Sequence, residues 1–459
     1  MSIKVALAHV TDSRLDIFSK REPAVKEEIQ SLQWLGEEYK VIESDVLNSI
    51  DDIETFAEKA NIFGAQSLII HVPIWADPIF SIKLHNHIPV PVLLLGNNRP
   101  DTSSLVGVLG AGGALDQVGC QHFRVFEHSS EKSLKMIHSF IRACGTIHSL
   151  KGQTLGLFGG KSLGIFTANV DPAQWQKLIG VDIEILDQHD IISEAENIPL
   201  ELVEHEKKWL TENLGRVTFG GAFTASTFEK QIRSYLATKI LVNKNNLDFV
   251  GVKCQPELSD GYVTQCIAHM LLNNRFDSNG KKGAIIHACE SDADGALTMQ
   301  ILHLLSEGKS ASLVDVRWFD EKEKTWTLAN CGAIACEFFA TASDPIGLKQ
   351  LEATQHVFGK GGGGAYPGVV SPGKVTLARL CRKNGVYWMA IILGNVESRT
   401  RSDLAKTTAS FPQAFVQTNA GIDFAEVYGS NHIHMVQGDF TEELIIFCKL
   451  IGIDWRIWN

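Results

Sequence analysis

Three short stretches combine carboxylates and imidazoles in patterns that could do chemistry. The first is Glu290-Ser291-Asp292-Ala293-Asp294. It stands where a strand expected over Gly283–His287 ends and a helix carrying Leu297, Ile301, Leu304 and Leu305 begins. In open α/β sheets that edge is where ligands bind. Asp292 and Asp294 suit the plain role of carboxylates that cap a helix and complement its dipole; Glu290 comes too early for it. The second is Leu313-Val314-Asp315-Val316-Arg317. An Asp within an apolar strand is costly unless it is paired or holds a metal, and a salt bridge to Arg317 is the plain alternative. The third is Asn431-His432-Ile433-His434. Residues two apart on a strand share a face, so one histidine can ligate while the other hydrogen-bonds; a purely structural pair is the alternative. Together Glu290, Asp315 and His432 would make a carboxylate-rich N/O site, suited to Mn²⁺, Mg²⁺ or Fe²⁺ rather than to a thiolate metal.

Two glycine stretches are weaker candidates. Gly159-Gly160-Lys161-Ser162 resembles the tail of a phosphate-binding loop, but the position four residues before it is Leu155, and Gly156 is one residue late. The loop is too short to wrap phosphates, so a strand-to-helix turn is the better reading. Gly361–Gly364 could cradle an anion but has no strand before it, and reads as a flexible or close-packed loop. The nine cysteines, at 120, 144, 254, 266, 289, 331, 336, 381 and 448, contain no C-x-x-C pair. They read as buried thiols of a reducing cytoplasm.

The elements that must position these residues alternate. In the first ~150 residues, strands are expected at Ile3–Val10, Lys40–Glu43, Ser67–Val72, Val90–Leu95 and Phe123–Glu127. Helices are expected at Ala24–Leu35, Ile50–Ala60 and Glu131–Ala143. The alternation restarts with strands at Thr154–Phe158, Val181–Leu186 and Phe249–Lys253 and helices at Leu200–Asn213 and Thr227–Ala237. Such alternation argues parallel sheets with helices on both faces. Beyond a strand at Ser312–Arg317 come β-rich pieces at Thr325–Asn330, Val375–Cys381 and Val386–Gly394, then a helix at Thr441–Leu450. The expected fold is α/β: two doubly wound, flavodoxin-like domains over 1–150 and 151–310, then a β-rich domain over 311–459. Glu290 falls in the second, Asp315 and His432 in the third.

Composition narrows the function. The chain has 459 residues, 44% of them hydrophobic and 21% charged, ordinary for a globular protein. With 42 Lys and Arg against 53 Asp and Glu, the net charge is −11. No basic patch offers to replace counterions on nucleic acid. No apolar run approaches the ~20 residues that cross a bilayer, and no secretory signal is read at the start. A cytoplasmic protein without nucleic-acid or membrane partners is expected.

The site segments resemble the L-fucose isomerase family, with the L-arabinose isomerases further off. Ala288-Cys289-Glu290-Ser291-Asp292-Ala293-Asp294-Gly295 resembles the family segment with the first metal carboxylate, Leu313–Arg317 the second, and Gly429-Ser430-Asn431-His432 the histidine segment. Lys151-Gly152 and Gly159–Gly164 resemble the opening of the second domain, Gly251-Val252-Lys253-Cys254-Gln255 a substrate-contacting stretch, and Asp12-Ser13-Arg14 with Arg21-Glu22 the N-terminal motif.

The resemblance implies an aldose–ketose isomerase that moves a proton between C2 and C1 of an open-chain sugar through a cis-enediol. Glu290 and Asp315 would be metal ligands and the acid/base pair, with His432 the third ligand to Mn²⁺ or another divalent cation. Gln255 and Asn431 would orient hydroxyls. Arg14 would line a site wall that a neighbouring subunit can supply, in a homo-oligomer (trimer or hexamer) with sites at subunit contacts. The chain is shorter than typical fucose isomerases, and Lys253 stands where Gln is expected. A cation there would suit a C6-anionic aldose such as sulfoquinovose (6-deoxy-6-sulfoglucose), isomerised to 6-deoxy-6-sulfofructose. The alternative role for Lys253 is an ordinary salt bridge. L-Fucose or L-arabinose isomerase is the alternative within the class. A non-catalytic sugar-binding protein is the alternative outside it, and a P-loop kinase comes third.

Overall fold

A computed structural model describes residues 3–458. The described residues form two compact units, one of residues 3–148 with 442–450 and one of residues 149–441 with 451–458. The boundary near 149 lies where the polar Lys151-Gly152-Gln153 stretch separates two runs of alternating elements. The parallel sheet that ends on Glu290 and the β-rich part that carries Asp315 and His432 lie together in the second unit.

The first unit holds a five-stranded parallel sheet of Lys4–Val10, Lys40–Leu47, Ser67–Val72, Val92–Gly96 and His122–Phe126. Its order, 2-1-3-4-5 in chain sequence, is that of the flavodoxin-like doubly wound fold. Ser67–Val72 and Val92–Gly96 are buried throughout, as strands covered on both faces must be. The helix expected from Ala24 begins at Leu15 and runs to Gln30, with Pro23 inside it. Pro suits a first turn, so a Pro there reads as a start.

The second unit opens with a four-stranded parallel sheet. Its order is His287–Cys289, Phe249–Val252, Thr154–Phe158 and Asp182–Leu186. The strand expected over Gly283–His287 is instead the three residues His287–Cys289, paired with Val250–Val252. The run before it makes no ladder. The loop at Gly159 turns with φ of +81°, and a Cβ there would press on Gln188 and Lys253. The Gly361–Gly364 loop is close-packed: a Cβ on Gly361 would meet the Tyr262 carbonyl at 2.7 Å.

The unit also holds a closed antiparallel barrel. Around the ring run Gly373–Lys383, His432–Gln437, Ala311–Asp320, Thr325–Ala329, Gln413–Thr418 and Val386–Val396, and the last pairs back with the first. Asp454–Trp458 adds in parallel to Val386–Val396. Val314, Ile433, Met435, Leu377 and Val416 are buried in one core cluster. Each such side chain contributes about 1.5–3 kcal/mol when fully buried. Among the described residues no helix is long and apolar enough to cross a membrane.

Candidate active site

Glu290 follows the short strand His287–Cys289 and sits with φ of +57°; Ser291 follows with φ of +54°. Two successive non-glycine residues in the left-handed region cost roughly 1–2 kcal/mol each. The turn is held by Ser291 N–H donating to the Val252 carbonyl at 3.0 Å and Asp292 N–H to the Cys289 carbonyl at 3.2 Å. Strain maintained this way lifts Glu290 off the strand end.

Asp315 and His432 come from neighbouring strands in direct register. Their shared face is opposite the one that carries Val314 and Ile433, so both side chains leave the barrel interior. The strand Ala311–Asp320 is buried over its first four residues and opens at Asp315. Here the three elements meet. Glu290 Oε2 lies 3.2 Å and Asp315 Oδ1 3.6 Å from His432 Nε2. The two carboxylate oxygens are therefore no more than 6.8 Å apart.

A second layer fixes the imidazole. His432 Nδ1 is 2.7 Å from Asp292 Oδ2, while Asp292 takes two hydrogen bonds from the buried Arg379, at 2.6 and 3.0 Å. Asp292 also caps the helix Ala293–Leu305 by accepting from Gly295 N–H at 2.9 Å. Burial would raise Asp292, but Arg379 and His432 hold it well below the usual carboxylate range. Burial would lower His432, but hydrogen bonds to Asp292 and Glu290 and the charge of Asp315 push it up to about 10. Burial and the charge of Glu290 raise the half-buried Asp315.

Two carboxylates and one imidazole nitrogen form a hard N/O donor set. The other ring nitrogen is oriented by a carboxylate, the usual support of a metal-binding histidine. The anionic surroundings that keep His432 protonated are those a cation would relieve. The donor set therefore fits a divalent ion of the Mn²⁺ class, with Glu290, Asp315 and His432 as the residues that would hold it.

The remaining expected residues divide. Asn431 Nδ2 donates to Asp315 Oδ1 at 3.4 Å. Gln255 Nε2 points to Cys331 Sγ at 3.6 Å, and the Cys331 thiol feels the charges of Glu290 and Asp315. Ser162, in the Gly159–Ser162 turn, donates to the Gln255 carbonyl at 2.7 Å. Lys253 is not brought into the cluster: its ammonium pairs with Glu257 at 2.5 Å. Arg14 lies in the N-terminal unit and binds Asp12 through Nε at 2.8 Å and Nη2 at 2.7 Å. Arg317 does not close the salt bridge to Asp315 that the sequence allowed; it donates to Thr408 and lies over the Phe411 ring. His434 stays out of the donor set, with Nδ1 3.3 Å from the Ala378 carbonyl.

Residues 328–459 match the family model described as L-fucose isomerase, C-terminal domain. A sulfoquinovose isomerase from Priestia megaterium is 21% identical over 94% of each chain. One from Alkalicoccus urumqiensis is 22% identical over 63% of this chain and 64% of its own. An L-fucose isomerase from Bacteroides thetaiotaomicron is 25% identical over 62% of this chain and 55% of its own. The chain is thus similar to sulfoquinovose and L-fucose isomerases, and its residues 328–459 to the L-fucose isomerase C-terminal domain.

Both names belong to aldose–ketose isomerases, the enzyme class expected from the sequence. Sequence reasoning missed Arg379 and the second duty of Asp292. Arg379 did leave a signal. It is a charged residue within the apolar strand run Val375–Cys381, and a buried arginine demands a buried acid. Asp292 left none, because helix capping already explained it.

Proposed function

We propose that this protein is a divalent-metal-dependent aldose–ketose isomerase acting on a free sugar, with the C6-anionic aldose sulfoquinovose as its leading substrate. The observation that carries the mechanism is the convergence of Glu290 and Asp315 on one nitrogen of His432. A non-catalytic sugar binder has no use for two carboxylates gathered at that point.

A divalent ion held by Glu290, Asp315 and His432 would supply the Lewis acidity that lowers the cost of removing the C2 proton. Glu290 and Asp315 form the acid/base pair that carries a proton between C2 and C1 and between the two oxygens. Burial keeps Asp315 readier to hold a proton than an ordinary carboxylate, which suits that role. His432, fixed by Asp292, keeps the two carboxylates at a constant spacing. Asn431 and Gln255 orient sugar hydroxyls. Arg14 completes the sugar site from a neighbouring subunit of a homo-oligomer, trimer or hexamer, in the cytoplasm.

The substrate rests on coverage. The sulfoquinovose isomerase of Priestia megaterium aligns over 94% of both chains, whereas the L-fucose isomerase of Bacteroides thetaiotaomicron aligns over 55% of its own length. L-Fucose and L-arabinose are the alternative sugars. The deciding experiment assays chelated and Mn²⁺-supplemented protein on a panel of neutral and C6-anionic aldoses. Ketose formation from sulfoquinovose only with metal is expected; no turnover of any aldose with metal would overturn the reading.

A further inference from the structure

A second group of ligand-bearing side chains lies under the catalytic turn. One atom each from His269, His287 and Cys289 lie mutually within 4.8 Å, and all three residues are buried. His269 comes from the helix Cys266–Leu272, and His287 and Cys289 from the strand that directly precedes Glu290. The two Nδ1 atoms are 3.2 Å apart. Nitrogen ligands of a tetrahedral zinc, each about 2.0–2.1 Å from the metal, stand about 3.3 Å from one another.

One further observation points to a ligand: a second thiol, that of Cys254, acts on Cys289, so a fourth soft donor stands beside the three. Asn273 organises the group: its Nδ2 donates to the His269 and His287 carbonyls, each at 2.9 Å, and its Oδ1 accepts from His287 N–H at 2.9 Å. Burial keeps both imidazoles neutral, His287 at about 4, which leaves each ring a lone pair to give.

We propose that His269, His287 and Cys289 bind a soft divalent ion of the zinc class, distinct from the ion of the carboxylate site. Binding forms one metal–sulfur and two metal–nitrogen bonds, and the Cys289 thiol proton leaves to solvent. Because Cys289 directly precedes Glu290, the ion pins the base of the left-handed turn that presents the catalytic carboxylate. Its role is structural, and it does not depend on the isomerase reading.

Cobalt substitution of the full chain tests this, because a thiolate ligand gives a sulfur-to-cobalt charge-transfer band that a carboxylate–imidazole site cannot. The expected result is a band in the Co²⁺-loaded protein that Zn²⁺ bleaches. Glu290→Gln keeps it, Cys289→Ser abolishes it, and His287→Gln weakens Co²⁺ binding by about tenfold or more. Absence of the band in the Co²⁺-loaded wild-type protein overturns the proposal. So does a band that survives Cys289→Ser, which would assign the sulfur to another thiol such as Cys331. Should Cys289→Ser fail to fold, zinc content by mass spectrometry of His287→Gln against Glu290→Gln decides. Loss of zinc from the first alone supports the site, and equal zinc in both overturns it.

Discussion

Asp315 and His432 are direct cross-strand partners, and Asp315 Oδ1 lies 3.6 Å from His432 Nε2. Opposed residues of an antiparallel pair project from one face at about 4.5–5.5 Å. Two of the three expected ligands are therefore set by strand register, while Glu290 arrives from a separate sheet on a strained turn. This division makes the three residues respond differently to change.

Glu290→Gln should lower turnover by more than about a hundredfold, the scale of a lost acid/base group. The fold should persist, since the side chain sits on a turn outside the core. Steady-state isomerase rates with a thermal melt alongside check both halves. Near-normal activity with metal present would remove Glu290 from the mechanism.

Asp292→Asn should act at a distance from the sugar. It weakens the carboxylate that orients His432, which should lower metal affinity by about 10–100-fold. It also leaves Arg379 buried without its counter-charge, a loss of about 3–5 kcal/mol. Adding Arg379→Met should recover part of the stability but not the metal affinity. Urea unfolding and metal titration of the single and double variants separate the two effects.

The metal-free protein should become less stable as pH rises. His432 is pushed up to about 10 in the folded chain, above its ordinary unfolded value of about 6.5. A group raised in this way stabilises fully below its unfolded value, and that contribution is lost as pH rises through about 10. The same proton competes with the ion for Nε2. Metal affinity should therefore increase with pH over this window, and chelation should abolish turnover until Mn²⁺ is returned. Denaturation midpoints with and without metal across the window test the sign; a flat or inverted profile would contradict it.

Lys253→Gln distinguishes two roles for one ammonium. If Lys253 turns from Glu257 to a C6 sulfonate, the variant loses a charge-assisted hydrogen bond worth roughly 1.5–3 kcal/mol, about ten- to a hundredfold. The expected outcome is that loss on sulfoquinovose with L-fucose unchanged. Equal effects on both sugars would leave Lys253 as the salt-bridge partner of Glu257.

Periodicity made part of this architecture readable. The helix Leu200–Asn213 lies where its apolar spacing puts it, and both parallel sheets follow from the alternation of strand and helix. The helix Ser104–Gln117 was not legible. It carries Gly107, Gly110, Gly112 and Gly113, which weaken a helix in isolation. At Gly107 the reason is tertiary, since a Cβ there would come 2.8 Å from the Val72 side chain. The strands Gln413–Thr418 and Asp454–Trp458 were also missed, because their ladders form with partners far away in the chain. Within the site, residue type and spacing singled out Glu290, Asp315 and His432. They could not show that Lys253 turns to Glu257, which depends on how the backbone leaves the strand Phe249–Val252.

The pairing of Gly373–Lys383 with Val386–Val396 closes the barrel, and it makes the site intolerant of one kind of genetic change. In an open sheet an edge strand can absorb a one-residue deletion by sliding past a single neighbour. In a closed ring both neighbours are already committed, so the slip must travel round every strand or break a ladder. A deletion between Ala311 and Val314 would turn Asp315 to the face now held by Val314. Lineages of this protein should therefore vary in length at the barrel's connecting loops while the strand segments that carry Asp315 and His432 keep their residue count.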